Sequence, residues 1–167
     1  AFRSAIRTFS AAMEILVDFA SYPTEEIARN SHDFRPLGLG YANLGTLLMV
    51  NGLPYDSEEG RAMAGAITAV LCGEAYAVSA ELAEQMGAFA GFAKNREPMA
   101  RVIRKHREAA QRIDARVCPG ELWEAAQESW ARAEALGQAH GYRHSQMTVL
   151  APTGTIGLLL DCATTGV

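Results

Sequence analysis

The chain has 167 residues, of which 49% are apolar and 20% charged, with a net charge of -4. That length and balance suit one globular domain with its own core and exclude a disordered or fibrous chain. The negative balance removes the electrostatic reason to expect a nucleic-acid partner. The longest nearly uncharged stretch, around Ala62 to Gly73, falls short of the roughly 20 residues that cross a bilayer.

Ala1 and Phe2 open directly on an amphipathic run, with no initiator Met and no signal-peptide core, so the sequence reads as a piece from inside a longer protein. Phe2, Ala5, Ile6, Phe9, Ala12, Met13, Leu16, Val17 and Ala20 recur at spacings of three and four, which predicts a helix burying that stripe. Ser21, Tyr22 and Pro23 end it. A short polar helical turn follows from Thr24 to about Asn30. Arg35 to Gly40 then breaks the pattern before an apolar helix from about Tyr41 to Val50, stopped by Asn51-Gly52 and Pro54.

Asp56 with Glu59 three residues later resembles a capping box for a helix running to Met86, with Gly87 as its C-cap. Three acids there, Asp56, Glu58 and Glu59, fit capping and the helix dipole better than paired catalytic carboxylates. Ala62, Gly65, Ala66, Ala69, Gly73, Ala77 and Ala80 keep this helix slim, so neighbouring backbones can approach it, and it is predicted to be central. A further helix is predicted from near Pro98 to Ala115, with Met99, Val102, Ile103, Ala110 and Ile113 on one side. Its basic residues between Arg101 and Arg116 alternate with Glu108 and Asp114, as on a solvated face. Leu122, Trp123, Ala126, Trp130 and Ala133 mark the next helix, which Gly137 and Gly141 bring to an end.

After Gly141 the character changes. Gln146 to Leu150 is a short β-prone run, and Ala151-Pro152-Thr153-Gly154-Thr155-Ile156-Gly157 follows it, ahead of the apolar Leu158 to Leu160. A strand feeding such a loop can cradle an anion, because glycines expose backbone N–H groups, threonine hydroxyls add donors, and a helix start adds partial positive charge. Taken alone, the same pattern is better read as a strand-to-helix turn that satisfies only its own backbone, since such turns are common. The loop has no Walker Lys, so nucleoside triphosphate hydrolysis is not indicated.

Other motifs carry less. Gly38-Leu39-Gly40 begins like a dinucleotide fingerprint, but Asn43 stands where the third Gly belongs, which points to a tight bend between helices. His140 and His144 are separated by Gly141 at a helix end, a poor geometry for a metal pair. Cys72, Cys118 and Cys162 are odd in number and far apart, so they read as free, buried or partly buried thiols in a reducing, cytoplasmic setting.

Four segments in order then carry a resemblance: Arg35-Pro36-Leu37-Gly38-Leu39-Gly40-Tyr41-Ala42-Asn43-Leu44-Gly45, Tyr55-Asp56-Ser57, His140-Gly141-Tyr142-Arg143, and Ala151 to Gly157. With Asp161-Cys162 and Thr164-Thr165-Gly166 beyond them, they resemble the second half of the catalytic barrel of adenosylcobalamin-dependent (vitamin B12-dependent) ribonucleotide reductases. The resemblance implies an α/β fold, here a mostly helical section of a ten-stranded barrel with a strand and phosphate loop near the C-terminus, and residues 1–167 as part of one catalytic domain. It implies radical reduction of ribonucleoside diphosphates to deoxyribonucleoside diphosphates, with a thioredoxin-type reductant and a possible homodimer. By the same resemblance Pro152, Thr153, Gly154, Thr155 and Ile156 hold the substrate diphosphate. No residue here matches the family's radical cysteine, its Asn and Glu companions or its reducing cysteine pair, so none is given a catalytic role. Two alternatives stay open from sequence: the diiron-dependent class of the same enzyme, and a non-enzymatic helical scaffold.

Overall fold

Apolar spacing, caps and breakers give seven helices in the computed structural model, which describes residues 1–167. They are α1 (Phe2–Phe19), α2 (Glu25–Phe34), α3 (Leu44–Val50), α4 (Glu58–Met86), α5 (Phe92–Gln111), α6 (Gly120–His140) and α7 (Gly154–Leu159). The slim helix predicted to be central is so: α4 packs against α1, α5 and α6, and its Ala66, Ala75, Ala77 and Ala80 are fully buried. By length and composition α4 could also cross a membrane, which its uncharged stretch alone did not suggest. Yet 72% of its apolar window is buried inside the fold, the position of a core helix.

Capping of α4 differs from the expected box. Ser57 is the N-cap, its Oγ accepting from the Gly60 N–H at 2.9 Å, while Asp56 pairs with Arg61 instead. Glu58 and Glu59 stand in the first turn, where the helix dipole favours them. Ser57→Ala is expected to lower stability by about 1 kcal/mol, read as a shift in the urea midpoint at unchanged slope.

The stripe of α1 is the largest departure from expectation. Ile6 and Val17 are buried as predicted, but Ser10 and Glu14 share that face, while Phe2, Phe9, Leu16 and Phe19 are exposed. Glu14 is turned inward by the cations described below, and their hydrogen bonds decide which arc of the helix meets the core. The outer arc leaves a row of large apolar side chains uncovered, a feature that marks contact faces.

Four other helices differ at their ends: α2 runs on to Phe34, α3 begins only at Leu44, and α5 and α6 also shift. α5 begins at Phe92, because buried Phe92 continues the Met99, Ile103 and Ala110 face, and Pro98 lies inside it at the cost of one backbone bond. It stops at Gln111, where α6 side chains take carbonyls at and just past its end: Gln127 Nε2 donates to Ala110 O at 2.9 Å and Trp123 Nε1 to Ile113 O, two residues beyond the helix, at 3.1 Å. α6 runs through Gly137 to His140, and Gly141, at φ 76°, ends it. Gly137 is needed for a different reason, since the Tyr142 ring folds back onto it where any Cβ would overlap. Tyr142 also joins a chain of aromatic contacts linking Trp130, Tyr76, Phe92, Phe89 and Phe34 through the core.

The strand expected at Gln146 to Leu150 does not form. Residues 145–149 run beside residues 34–39, joined by Ser145 N–H to Phe34 O, Leu37 N–H to Gln146 O, Leu39 N–H to Met147 O and Val149 N–H to Leu39 O, at 2.8–3.0 Å. Only Leu39 and Thr148 complete a parallel bridge. A strand is a property of its neighbours as much as of its residues, and this one has a single neighbour, whose Pro36 brings no N–H. Gly38 and Gly40 serve this contact. A Cβ on Gly38 would lie 3.1 Å from Val149 Cγ1, and one on Gly40 would strike the Val149 carbonyl.

Candidate functional site

The five residues expected to hold phosphate are brought together on one turn. Thr153 takes the left-handed conformation (φ 49°) and caps α7, which begins at Gly154. As at any helix start, the N–H groups of Gly154, Thr155 and Ile156 have no acceptor within the chain. Pro152, Gly154, Thr155 and Ile156 are exposed, and a Cβ built on Gly154 meets nothing within 4 Å. Thr153 is half-buried, and its Oγ1 accepts from the Gly166 N–H at 2.7 Å, which leaves its own hydrogen free to donate. No Lys or Arg follows Arg143 in the chain. This turn itself offers an anion amides and hydroxyls.

Both ends of the loop are held to residues 34–46. Its entry follows the extended pair described above. Beyond α7, Cys162 N–H donates to Gly157 O at 2.9 Å, and Thr164 N–H donates to Asn43 Oδ1 at 3.1 Å.

A buried polar cluster that sequence reading did not anticipate pins the starts of both extended segments. Glu14, 4% exposed, accepts from Arg35 Nη2 at 2.7 Å and Nε at 3.0 Å, from Arg143 Nε at 2.7 Å and from His144 Nε2 at 2.8 Å. Arg35 also reaches Asp18 at 2.8 Å. His144 is fully buried. Ser79 Oγ accepts its backbone N–H at 3.1 Å and lies 3.0 Å from its Nδ1, while the ring hydrogen on Nε2 points to Glu14. Burial alone would raise the Glu14 pKa, but hydrogen bonds from His144, Arg35 and Arg143 outweigh it and hold the carboxyl at about 2. Every member of this cluster is engaged by another, the state of a structural tie rather than of a group awaiting a substrate.

The other candidates fall elsewhere. His140 lies 3.7 Å from Glu84, away from His144's partners. Cys118 is buried, Cys72 is half-buried with its Sγ 3.1 Å from Thr148 Oγ1, and Cys162 is half-buried, all three as free thiols. Burial pushes the Cys72 and Cys118 thiols up, away from the reactive thiolate.

Residues 1–167 match the family described as ribonucleotide reductase, barrel domain. A vitamin B12-dependent ribonucleotide reductase from Rhodopirellula baltica is 57% identical over 166 residues, covering 99% of this chain and 16% of that protein. Proteins of the same name from Agrobacterium fabrum and Streptantibioticus cattleyicolor are 47% and 48% identical, each over 99% of this chain, which spans 14% and 28% of their lengths. Matched from its first residue to its last, this chain belongs to the ribonucleotide reductase barrel-domain family.

Proposed function

We infer that this chain is a section of the catalytic barrel of a vitamin B12-dependent ribonucleotide reductase, and that its part in the reaction is to hold the substrate's phosphates. The observation that carries this reading is a turn, Pro152 to Ile156, with three adjacent N–H groups free and an open approach over Gly154, in a chain similar along 99% of its length to reductases of that name. The substrate is a ribonucleoside diphosphate, reduced to the deoxyribonucleotide. The loop contributes binding energy remote from the reacting ribose and so orients it, while breaking no bond itself. The names of the relatives favour the cobalamin class over the diiron class. Uncovered apolar side chains on α1 and at the end of α7, where Leu158, Leu159 and the C-cap Leu160 are exposed, fit a section that packs against further parts of a barrel.

The cofactor of that reading is adenosylcobalamin, which supplies the radical when bound. No residue of this chain is identified as a seat for it: a groove of about 520 Å³ between Phe2, Tyr41, Leu47, Val50 and Ile67 is open and mostly apolar, with Asn43 and Thr46 as its polar lining. In this reading the full enzyme takes a thioredoxin-type reductant and pairs with a second copy.

Gly154→Val in the intact enzyme tests the loop. The new side chain meets no neighbour within 4 Å in the fold but covers the amides, so nucleoside diphosphate binding is expected to weaken at least about tenfold. The thermal midpoint should hold. Titration calorimetry showing unchanged affinity would remove the phosphate assignment, and with it the functional reading of this section.

A further inference from the structure

Asn43 lies outside the phosphate loop, at the start of α3, in a left-handed conformation (φ 72°) that any non-glycine residue adopts at some cost. Glycine would relieve that cost, so the use of Asn there has to be sought in its side chain. Its Oδ1 accepts three hydrogens: from Thr46 Oγ1 at 2.5 Å, from the Thr164 N–H at 3.1 Å and from Thr164 Oγ1 at 3.2 Å. The Thr164 hydroxyl in turn accepts from the Thr46 N–H at 3.2 Å. Gly45 makes room for this contact, since a Cβ there would lie 2.9 Å from Thr164 Cγ2.

Two residues beyond Thr164 the chain returns to the loop. Gly166 N–H donates to Thr153 Oγ1 at 2.7 Å, and Gly166, at φ 65°, lies close enough to Pro152 that a Cβ would stand 3.1 Å from its carbonyl oxygen. Residues 153–166 thus form a ring closed at Thr153 and Gly166, and Thr164 is its side-chain anchor to the segment before α3. The other attachment is backbone, the extended pair ending in the Leu39 to Thr148 bridge. Without the anchor, the ring and its three free amides would pivot about that single attachment.

We propose that Asn43, acting through Thr164, is a positioning residue for the phosphate loop: one acceptor oxygen sets the direction in which the amides of Gly154, Thr155 and Ile156 face the substrate. This rests on the reading of that loop as the phosphate site. Asn43 touches no reacting atom, so its loss acts on nucleotide binding and leaves the chemical step alone.

The test is steady-state kinetics and equilibrium nucleotide binding on the intact enzyme with Asn43→Gly, Thr164→Val, Thr164→Ser and Gly154→Val. Asn43→Gly keeps the left-handed turn and deletes the anchor, and should raise KM for the nucleotide about 30-fold with kcat within about threefold, as for loss of two or three hydrogen bonds. Thr164→Val keeps the shape but removes the hydroxyl, and should raise KM about fivefold to tenfold. Thr164→Ser restores the hydroxyl and should return KM to within about twofold of the parent. A parental KM in Asn43→Gly, alongside weakened binding in Gly154→Val, overturns the role of Asn43 and leaves the loop standing. Should Asn43→Gly fail to fold, equal KM values for Thr164→Val and Thr164→Ser overturn it in the same way. A fall in kcat at constant KM also overturns it. Unchanged affinity in Gly154→Val overturns the loop reading itself.

Discussion

Glu14→Gln is expected to lower stability by about 3 kcal/mol at pH 7, because it takes from buried Arg35 and half-buried Arg143 the carboxylate they share, leaving Arg35 only the partly exposed Asp18. The size of the gap should depend on pH in a definite direction. The Glu14 pKa is about 2 in the fold against an ordinary 4.5. A depressed carboxylate stabilises the native state fully above its unfolded pKa, and that contribution is lost as pH falls through its folded one. Difference curves of urea unfolding for parent and variant should therefore be flat above about pH 4.5 and close by roughly 1.4 kcal/mol per pH unit towards pH 2. Taking the difference cancels the acids that do not touch the cluster; Asp18, which shares Arg35 with Glu14, is held out by repeating the pair in an Asp18→Asn background. A gap of the same size at pH 3 and pH 7 would mean that packing, and not charge, carries the loss.

Much of the helical fold was legible because it rests on local rules. The small residues of α4 announced a helix that others approach closely, and Gly87 ended it as expected. Trp130 and Ala133 lay on the predicted stripe of α6 and are in the core. Errors came where a distant residue overrode a local one. The arc of α1 was misjudged because apolar counting put Phe9 and Leu16 inward, whereas Arg35, Arg143 and His144 draw Glu14 in and turn those residues out. Gly137 read as a stop because the ring that requires it, Tyr142, arrives from beyond the helix. Pairing partners likewise decide whether Gln146 to Leu150 is a strand, and composition does not report them.

The candidate site divides in the same way. Pro152 to Ile156 are contiguous, so motif and resemblance could propose them without any knowledge of packing. Glu14, Ser79, Arg35, Arg143 and His144 come from four regions of the chain, and their association is a product of the fold. One trace of it was present in the sequence: Glu14 stands four residues from Ser10 and eight from Ile6, on the same arc of α1, so an acid faced the core side. Asn43 left a fainter one. It was read as a defect in a glycine fingerprint, and its partner Thr164 lies 121 residues away.

Gly73→Ala should cost about 3 kcal/mol although alanine is the better helix former by about 1 kcal/mol. At Gly73 the backbones of α4 and α6 come together, so an added Cβ would stand 2.8 Å from Ser129 Cβ and 2.9 Å from the Trp130 nitrogen. Those atoms belong to a helix backbone and to the residue beside Trp130, itself 1% exposed, so they cannot move aside without displacing the aromatic chain that runs from Trp130 towards Phe34. Gly65, two turns earlier on α4, supplies the control. A Cβ there would lie 3.5 Å from Ile113 Cγ1, an ordinary van der Waals contact, so Gly65→Ala gains helix propensity without overlap and should be neutral or stabilising by up to about 1 kcal/mol. The two variants share a helix and a substitution, and urea unfolding separates them by what each new methyl meets. Equal effects would show that α4 and α6 can slide apart, and that the tight crossing does not hold the core.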